Sequence, residues 1–566
     1  MKSNQKAFLI EIFIIIIAVI PLLIFPSHQY SGDGIVYAVP ILKNQYIWNP
    51  NHLFVQPIGL VFYNFLQSLN ISIHPLDAQR IIAIISAIIS VLIFGIALKK
   101  YILPHKWYSA IFVIGFFYSN YFLALAESSE FHMMQMPFLM IIFFLSLWFI
   151  QKLIKNDLSS GKIILIGLSL GLFNALAALC FISNIFLILG LFFAFILISI
   201  KNLTRKALQA GIIMFFSSLF LTGCALYVTW NSFIKPISDI PFLKWFISYG
   251  GTGNVQIGTY GISTLNITNV MLRIARMIFS FLQNIAHTEL GSIVKSKLTG
   301  ILLDCVGFDL IQIIWWSFIF IIISTTFIFA LILAIKNMSK NKNSFYYSVT
   351  IFLLIWILSF LPFNFYWNNS DDQFWFQILP AFWSFLAIPL SIFYQRKESL
   401  KKTLYMSTII IFVLFIIINN IAYAVLPRYQ FNTKHLAYKL SEYLPNNSVL
   451  IWPGNDRWGP VISFAKNYAE ERGQLFESLS LVSLANKHPK PDSLTKTIHN
   501  FLSKGYHVFL LRIIEPDDEC VPWAELREKG WSRSLLVNRL NKEFSICKIG
   551  KIYKHTCLVE VIANRN

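Results

Sequence analysis

Charge is what this sequence has least of. Only 13% of its 566 residues are charged, against about a quarter in soluble domains, while 56% are hydrophobic. Acids are scarcer than bases, 27 Asp and Glu against 46 Lys and Arg. So little charge cannot solvate a soluble fold of this length. The many uncharged runs of about eighteen or more apolar residues instead make it a polytopic membrane protein. Cysteine is sparse too: the six are scattered, with no CxxC and no His/Cys cluster, so no metal site is expected. GxGxxG, P-loop and internal repeat are all lacking. The net charge of +19 would suggest nucleic acid in a soluble protein. Here the basic residues fall in short clusters between spans, where they orient helices. Nucleic acid is therefore not an expected partner.

Apolar segments predict about eleven membrane helices, at 8–25, 80–98, 107–125, 133–151, 162–180, 182–200, 207–230, 311–335, 345–362, 374–394 and 403–426. The first follows Lys2 and Lys6 and lacks a small-x-small cleavage site, so it reads as a retained signal anchor. The 162–200 run is too long for one span, and Ser183-Asn184 is the expected turn within it. With that split, the basic clusters occupy every second connection. These are Lys2/Lys6, Lys99/Lys100/Lys106, Lys152/Lys155/Lys162, Lys201/Arg205/Lys206, Lys336/Lys340/Lys342 and Arg396/Lys397/Lys401/Lys402. This positive-inside pattern predicts a cytoplasmic N-terminus and an extracytoplasmic C-terminal part.

After Leu426-Pro427 the chain turns polar. Strand-like runs (Val449 to Trp452, Val508 to Leu511, Leu558 to Val561) alternate with helical ones such as Leu494 to Leu502, which predicts an α/β domain over 428–566. Trp452 to Gly459 follows a strand, where such folds place ligand loops; a turn-rich loop with its Trp packed on the membrane module is the alternative. Cys180 and Cys224 read as small core residues of spans. Of Cys520, Cys547 and Cys557, one pair would form a disulfide if the domain lies outside.

The unusual polar residues gather on the predicted outer side. Asp33 stands between Gly32 and Gly34, with Tyr30 and Tyr37 flanking. It is either a carboxylate that a ligand can approach closely, fit for general-base work, or an Asp-Gly turn leaving a helix. His52 and Gln56 are spaced to share a helix face, unless Asn49-Pro50-Asn51 caps it. Glu127, Glu130 and His132 lie between the third and fourth spans, as functional carboxylates at membrane depth or as solvated loop acids. Asp371 and Asp372 sit in a late loop whose Trp367, Phe374 and Trp375 suit an interfacial belt. Arg80 opens the second span and is placed to pair with an acid or grip a phosphate. Arg273 and Arg276 lie on an amphipathic stretch, Val270 to Ile285, of the long loop 231–310.

The Asp just past the first helix, the large first loop and the acidic motif between the third and fourth helices resemble the GT-C class of polytopic glycosyltransferases. That class includes protein O-mannosyltransferases and aminoarabinose transferases. Gly32-Asp33-Gly34 with Asn51-His52-Leu53 and Pro57 is similar to a "GD-G … HP" pattern, and Asn369 to Pro380 to a late-loop motif. Two departures stand out: Asp33 stands without the adjacent acid of the Asp-Glu pair that many members have, and Leu53 stands where the pattern has proline. The resemblance implies a GT-C-like membrane module over 1–427. It implies inverting transfer of a sugar from a polyprenyl phosphate to an extracytoplasmic lipid, glycan or protein. Asp33 is then the catalytic base, and Tyr37, His52, Gln56, Arg80, Glu127, Glu130, His132, Arg273, Arg276 and Asp372 are the substrate-binding candidates. No cofactor is expected, since a lipid monophosphate can leave without a divalent metal, although a diphosphate donor would favour one. Membrane lipids are the other partner. Polysaccharide polymerase or ligase, and transporter or flippase, are the alternatives. The near-absence of charge within spans and of paired broken helices disfavours the last. A bacterial inner membrane is the expected location, because Asn266-Ile267-Thr268 and Asn446-Asn447-Ser448 would be glycosylation acceptors in a secretory lumen.

Overall fold

The computed structural model describes residues 48–128, 131–202, 205–247, 345–366, 372–421, 432–454, 458–488, 490–514, 530–553 and 556–563, with isolated positions such as Tyr37 between them. The predicted spans 8–25 and 311–335 lie largely outside the described residues. The chain divides into two compact units, one of which takes in most of the sequence to Leu426 and the other Pro427–Asn566 with the short segments Ser27–Gly32 and Ile285–Ile313.

The first unit is all helix. In chain order its helices are α1 (Val55–Ser68), α2 (Pro75–Ala97), α3 (Lys106–Tyr118), α4 (Asn120–Glu127), α5 (Met136–Ile154), α6 (Ser160–Cys180), α7 (Ile185–Asn202), α8 (Arg205–Thr229), α9 (Phe242–Ile247), α10 (Phe345–Tyr366), α11 (Leu379–Gln395) and α12 (Ser399–Asn420). Among the described residues eight helices are long and apolar enough to cross a membrane, nine if the bent pair α3–α4 is one span. The 162–200 run divides where its turn was expected, a 3-10 turn at Ile182–Asn184 separating α6 from α7. Within 26–79, which hydropathy left as a plain connection, α1 forms a helix that keeps Val61 and Phe65 exposed.

Local sequence sets these helices. His74 caps α2 by accepting from the Leu76 N–H at 3.2 Å, Pro75 occupies its first turn and Asp77 its positive end. On α8 the buried residues are Ala207, Ala210, Gly211, Met214, Ser218, Thr222, Leu226 and Thr229, a helical stripe of mostly small side chains. It meets α6 at Gly167 and Gly171, where a Cβ on Gly171 would overlap the Ser217 hydroxyl. Close backbone approach replaces hydrophobic drive between apolar helices in lipid. Cys180 is buried as expected, but Cys224, on the face of α8 away from the stripe, is exposed. At the centre stands α11, buried at every residue from Leu379 to Phe393.

The predicted span 107–125 is not continuous. It breaks at Ser119, whose ψ of 133° is extended, and α4 leaves α3 at 61°. A break at membrane depth frees backbone groups that must find partners. Asn420 of α12 donates to the Tyr118 carbonyl at 2.5 Å. Ser119 Oγ donates to the Gly115 carbonyl and accepts from the Trp383 indole N–H of α11, both at 2.9 Å.

The ends of the bundle differ. At one, Lys206 donates to Asn156 Oδ1 at 2.9 Å and the Leu158 carbonyl at 3.0 Å, and Lys152 pairs with Asp157. Lys402 lies 5.9 Å from the Tyr394 ring, and Ser391 of α11 donates to the Ile102 carbonyl beyond α2. The described basic clusters thus share one end.

The second unit contains α13 (Thr433–Tyr443), β1 (Ser448–Trp452), α14 (Trp458–Glu471), β2 (Phe476–Ser480), α15 (Leu481–Lys487), α16 (Asp492–Ser503), β3 (His507–Leu511), α17 (Arg533–Glu543), β4 (Phe544–Tyr553) and β5 (Thr556–Ala563). The sheet order is β2-β1-β3-β5-β4, with β1 parallel to β2 and β3, and β5 antiparallel to β3 and β4. The three predicted strands fall on β1, β3 and β5. β1 and β3 are buried on both faces, as covered parallel strands are. Cys547 is free. It stands opposite Glu560, three residues from Cys557 and about 10 Å along the strand, so these two cannot form the expected disulfide; Cys520 lies outside the described residues.

Candidate active site

At the end of the bundle opposite the basic clusters, four short 3-10 segments meet: Pro50–His52, Phe131–Gln135, Ile182–Asn184 and Asp372–Ile378. The first packs on α6 and the third segment, the second on α2, α4 and α6, and the fourth on α4 and α10. None carries a described charged side chain, so apolar contacts and neutral hydrogen bonds bring them together.

Asn49 resolves the spacing of His52 and Gln56. Its Oδ1 accepts from the Asn51 N–H at 3.0 Å and starts a separate turn, so His52 lies on that turn and Gln56, buried, in the first turn of α1. Asn49 Nδ2 also donates to the Tyr37 hydroxyl at 2.6 Å. The segment is pinned by the Phe54 N–H donating to the Leu179 carbonyl at 3.1 Å. Leu53, Leu179, Leu226 and Trp245 pack beneath it.

Around His52 the rings close. Its imidazole stacks on Phe181 with centroids 5.1 Å apart, tilts against Phe131 at 4.2 Å and meets His132 edge-on at 5.9 Å. His132 stacks on Phe131 at 4.3 Å and meets Phe181 at 5.0 Å. Tyr37 stands 4.8 Å from Phe131. His52 Nδ1 lies 3.3 Å from the Cys180 carbonyl. A carbonyl only accepts, so Nδ1 carries the proton and Nε2 keeps its lone pair. Burial, then the neighbouring His132, holds the His52 pKa well below the ordinary histidine value, and the carbonyl bond only partly opposes this. At neutral pH His52 is a neutral acceptor.

His132 and Glu127 are both buried, each 2% exposed. That overturns the solvated-loop alternative for Glu127, which ends α4 and acts electrostatically on Tyr118. Trp375 is buried as well, packed within the protein rather than placed in an interfacial belt. Arg80 pairs with Asp77 one turn away on α2, at 3.6 Å. The backbone at Asp372 opens the fourth 3-10 segment. Asp33, Glu130, Arg273 and Arg276 lie outside the described residues, as does Asp371. Tyr37, His52 and His132 are thus brought together, with Gln56 and Glu127 on helices packed beside them, while Arg80 is engaged on its own helix. Among the described residues no group of three or more His, Cys, Asp or Glu is placed to hold a metal ion.

In the second unit, Gly454 follows β1 with φ of +99°, a conformation that suits glycine. Trp458 is buried, with the Arg512 guanidinium 5.6 Å from its ring. Its Trp packs inside the unit; Asn455 to Arg457 lie outside the described residues.

The Asn49 cap was expected; sequence reasoning missed Phe131 and Phe181, and it missed a buried amide cluster. Asn184 Nδ2 donates to Gln135 Oε1 at 2.6 Å, and Gln377 Nε2 reaches Gln135 Oε1 at 2.8 Å and Asn184 Oδ1 at 3.0 Å. The available signal was the presence of neutral amides at the edges of apolar runs, where an unmatched polar group is costly.

No family model matches the chain, and no curated protein sequence matches it. Solved structures do match. ArnT from Cupriavidus metallidurans in the apo state superposes with a TM-score of 0.50 at 10% identity, covering 97% of each chain. The same protein bound to undecaprenyl phosphate gives 0.50 at 9% identity with the same coverage. Archaeal oligosaccharyltransferase AglB from Archaeoglobus fulgidus, in complex with an inhibitory peptide and a dolichol-phosphate, gives 0.48 at 12% identity, covering 100% of this chain and 75% of that one. At these identities the likeness is one of architecture. This chain has the fold of the GT-C membrane enzymes, multi-span helices followed by a small sheet domain.

Proposed function

We propose that this chain is a membrane glycosyltransferase that moves a sugar from a polyprenyl-phosphate donor to an extracytoplasmic acceptor, with inversion. The observation that carries the reading is the fold likeness over 97% of both chains to ArnT, one of whose structures is bound to undecaprenyl phosphate. The membrane is a bacterial inner membrane, with the basic end of the bundle in the cytoplasm and the His52 end outside. On this reading residues 1–427 are the transferase module and 428–566 an extracytoplasmic domain.

In the reaction, Asp33 takes the proton of the acceptor hydroxyl as its oxygen attacks the anomeric carbon. The bond from that carbon to the phosphate oxygen breaks, and the lipid phosphate leaves with the electron pair. Attack from the face opposite the leaving group inverts the centre. Cations at the developing phosphate charge lower the barrier, and Arg80, Arg273 and Arg276 are the candidates for this. His52, with Nε2 unprotonated, accepts from a sugar or acceptor hydroxyl beside Tyr37 and His132, while Gln56, Glu127, Glu130 and Asp372 complete the polar boundary. The monophosphate leaving group needs no divalent metal.

The test is transfer of label from radiolabelled polyprenyl-phosphate sugars to membrane lipids and glycans. Asp33→Asn should lower the rate by about 10² to 10⁴, the span of a general base, with the protein still folded. Full activity in both Asp33→Asn and Asp33→Ala would remove Asp33 from the mechanism.

A further inference from the structure

The buried amide cluster and the ring cluster share the same segments. Gln135 follows His132 by three residues on the 3-10 turn Phe131–Gln135, and at about three residues per turn the two side chains project from the same edge. Ser183 and Asn184 follow Phe181, the ring that touches both histidines. Gln377 lies on the 3-10 segment Asp372–Ile378, and its carbonyl accepts the Trp356 indole N–H of α10 at 3.0 Å. Gln377 Nε2 also reaches Ser183 Oγ at 3.2 Å, and Asn184 Nδ2 the Ala177 carbonyl at 2.9 Å. The cluster therefore ties three segments to one another and to two helices, α6 and α10.

Stability alone does not account for these amides. Gln135 and Gln377 are fully buried, yet Gln135 Nε2 and Gln377 Oε1 meet no hydrogen-bond partner. Each such group costs about 1–3 kcal/mol, and apolar side chains of the same shape would avoid that cost. What a buried polar network provides instead is one fixed arrangement, because any slip of a segment breaks several bonds in an apolar surrounding.

We propose that Gln135, Asn184 and Gln377 are positioning residues, whose hydrogen bonds hold the turns carrying His132 and Phe181 closed against His52. Their part in catalysis rests on the reading of that pocket as the transfer site; their effect on the rings does not. Among the described residues the titratable groups about His52 are His132 and Tyr37, with Glu127 on α4, which packs against the same turn.

Gln377→Met and Gln135→Met keep side-chain volume and remove the bonds. In the full chain in nanodiscs, histidine NMR titration follows His52, its resonance assigned by loss in His52→Gln. Wild type should show His52 neutral well below the ordinary midpoint, and each Met variant should move the midpoint upward by about one pH unit as the ring cage loosens. Gln377→Glu, a neutral acid of equal length when buried, should keep the wild-type midpoint. Transfer by the Met variants should fall about tenfold from misplacement. An unchanged midpoint in folded Gln135→Met or Gln377→Met overturns the positioning role; if one does not fold, the other decides. A shifted midpoint in a chain that shows no transfer even as wild type would uphold positioning and sink the transferase reading.

Discussion

The two ends of the helix bundle solve opposite problems. At one end, lysines sit partly exposed, satisfied by carbonyls, an asparagine, an acid and aromatic faces. At the other, the described polar groups are mostly neutral and buried, and they are fixed by one another. An exposed charge is held by water and acts over distance. A buried neutral group acts only through geometry, so it must be positioned. The first end suits orientation in the membrane; the second suits chemistry.

After Asp33→Asn, the largest expected effect lies at the neutral end. His52→Ala removes the acceptor at Nε2 and opens the ring cage, and transfer should fall about 10²-fold with assembly intact. Transfer near wild type would mean that the buried imidazole only fills space. Next comes the scaffold between the ends. Gly171→Val forces α6 from α8 against Ser217 and should cost about 1–3 kcal/mol, read as a lower unfolding temperature in detergent.

A smaller effect follows from acid. The His52 pKa in the folded chain lies below its unfolded value of about 6.5. The folded state therefore resists a proton that the unfolded chain accepts. Stability is intact above about pH 6.5 and is lost as pH falls from there to the folded pKa, after which the loss stops. Denaturation of wild type and His52→Gln at matched pH values checks this: the wild type should fall faster below pH 6.5, and parallel curves would contradict it. The smallest effect is at the basic end. Lys206→Gln should change stability by about 0–1 kcal/mol and leave transfer within about twofold. A large loss of transfer there would break the contrast between the ends.

Much of the fold was legible because membrane burial writes itself in composition. Apolar runs marked the eight spanning helices and the bent pair among the described residues, and the Ser183-Asn184 turn was visible as polarity inside a run. The break at Ser119 was not, because Phe116 to Tyr118 is as apolar as any span and the partners of the freed backbone, Trp383 and Asn420, lie about three hundred residues away. The site divided in the same way. His52, His132 and Glu127 announced themselves by being polar at a span end. Phe131 and Phe181 looked like ordinary span residues, and Gln377 like a loop polar group, because only the fold brings the 3-10 segments together.

The most direct measurement is release of label from the lipid. The purified full chain in nanodiscs, given radiolabelled polyprenyl-phosphate sugars and a membrane extract as acceptor, should move label off the lipid and leave free polyprenyl phosphate. Asp33→Asn should lower that release by about 10² to 10⁴ while Lys206→Gln preserves it. Release that persists in folded Asp33→Asn would contradict Asp33 as the base, and release that fails in Lys206→Gln alone would contradict the assignment of chemistry to the end where His52 lies.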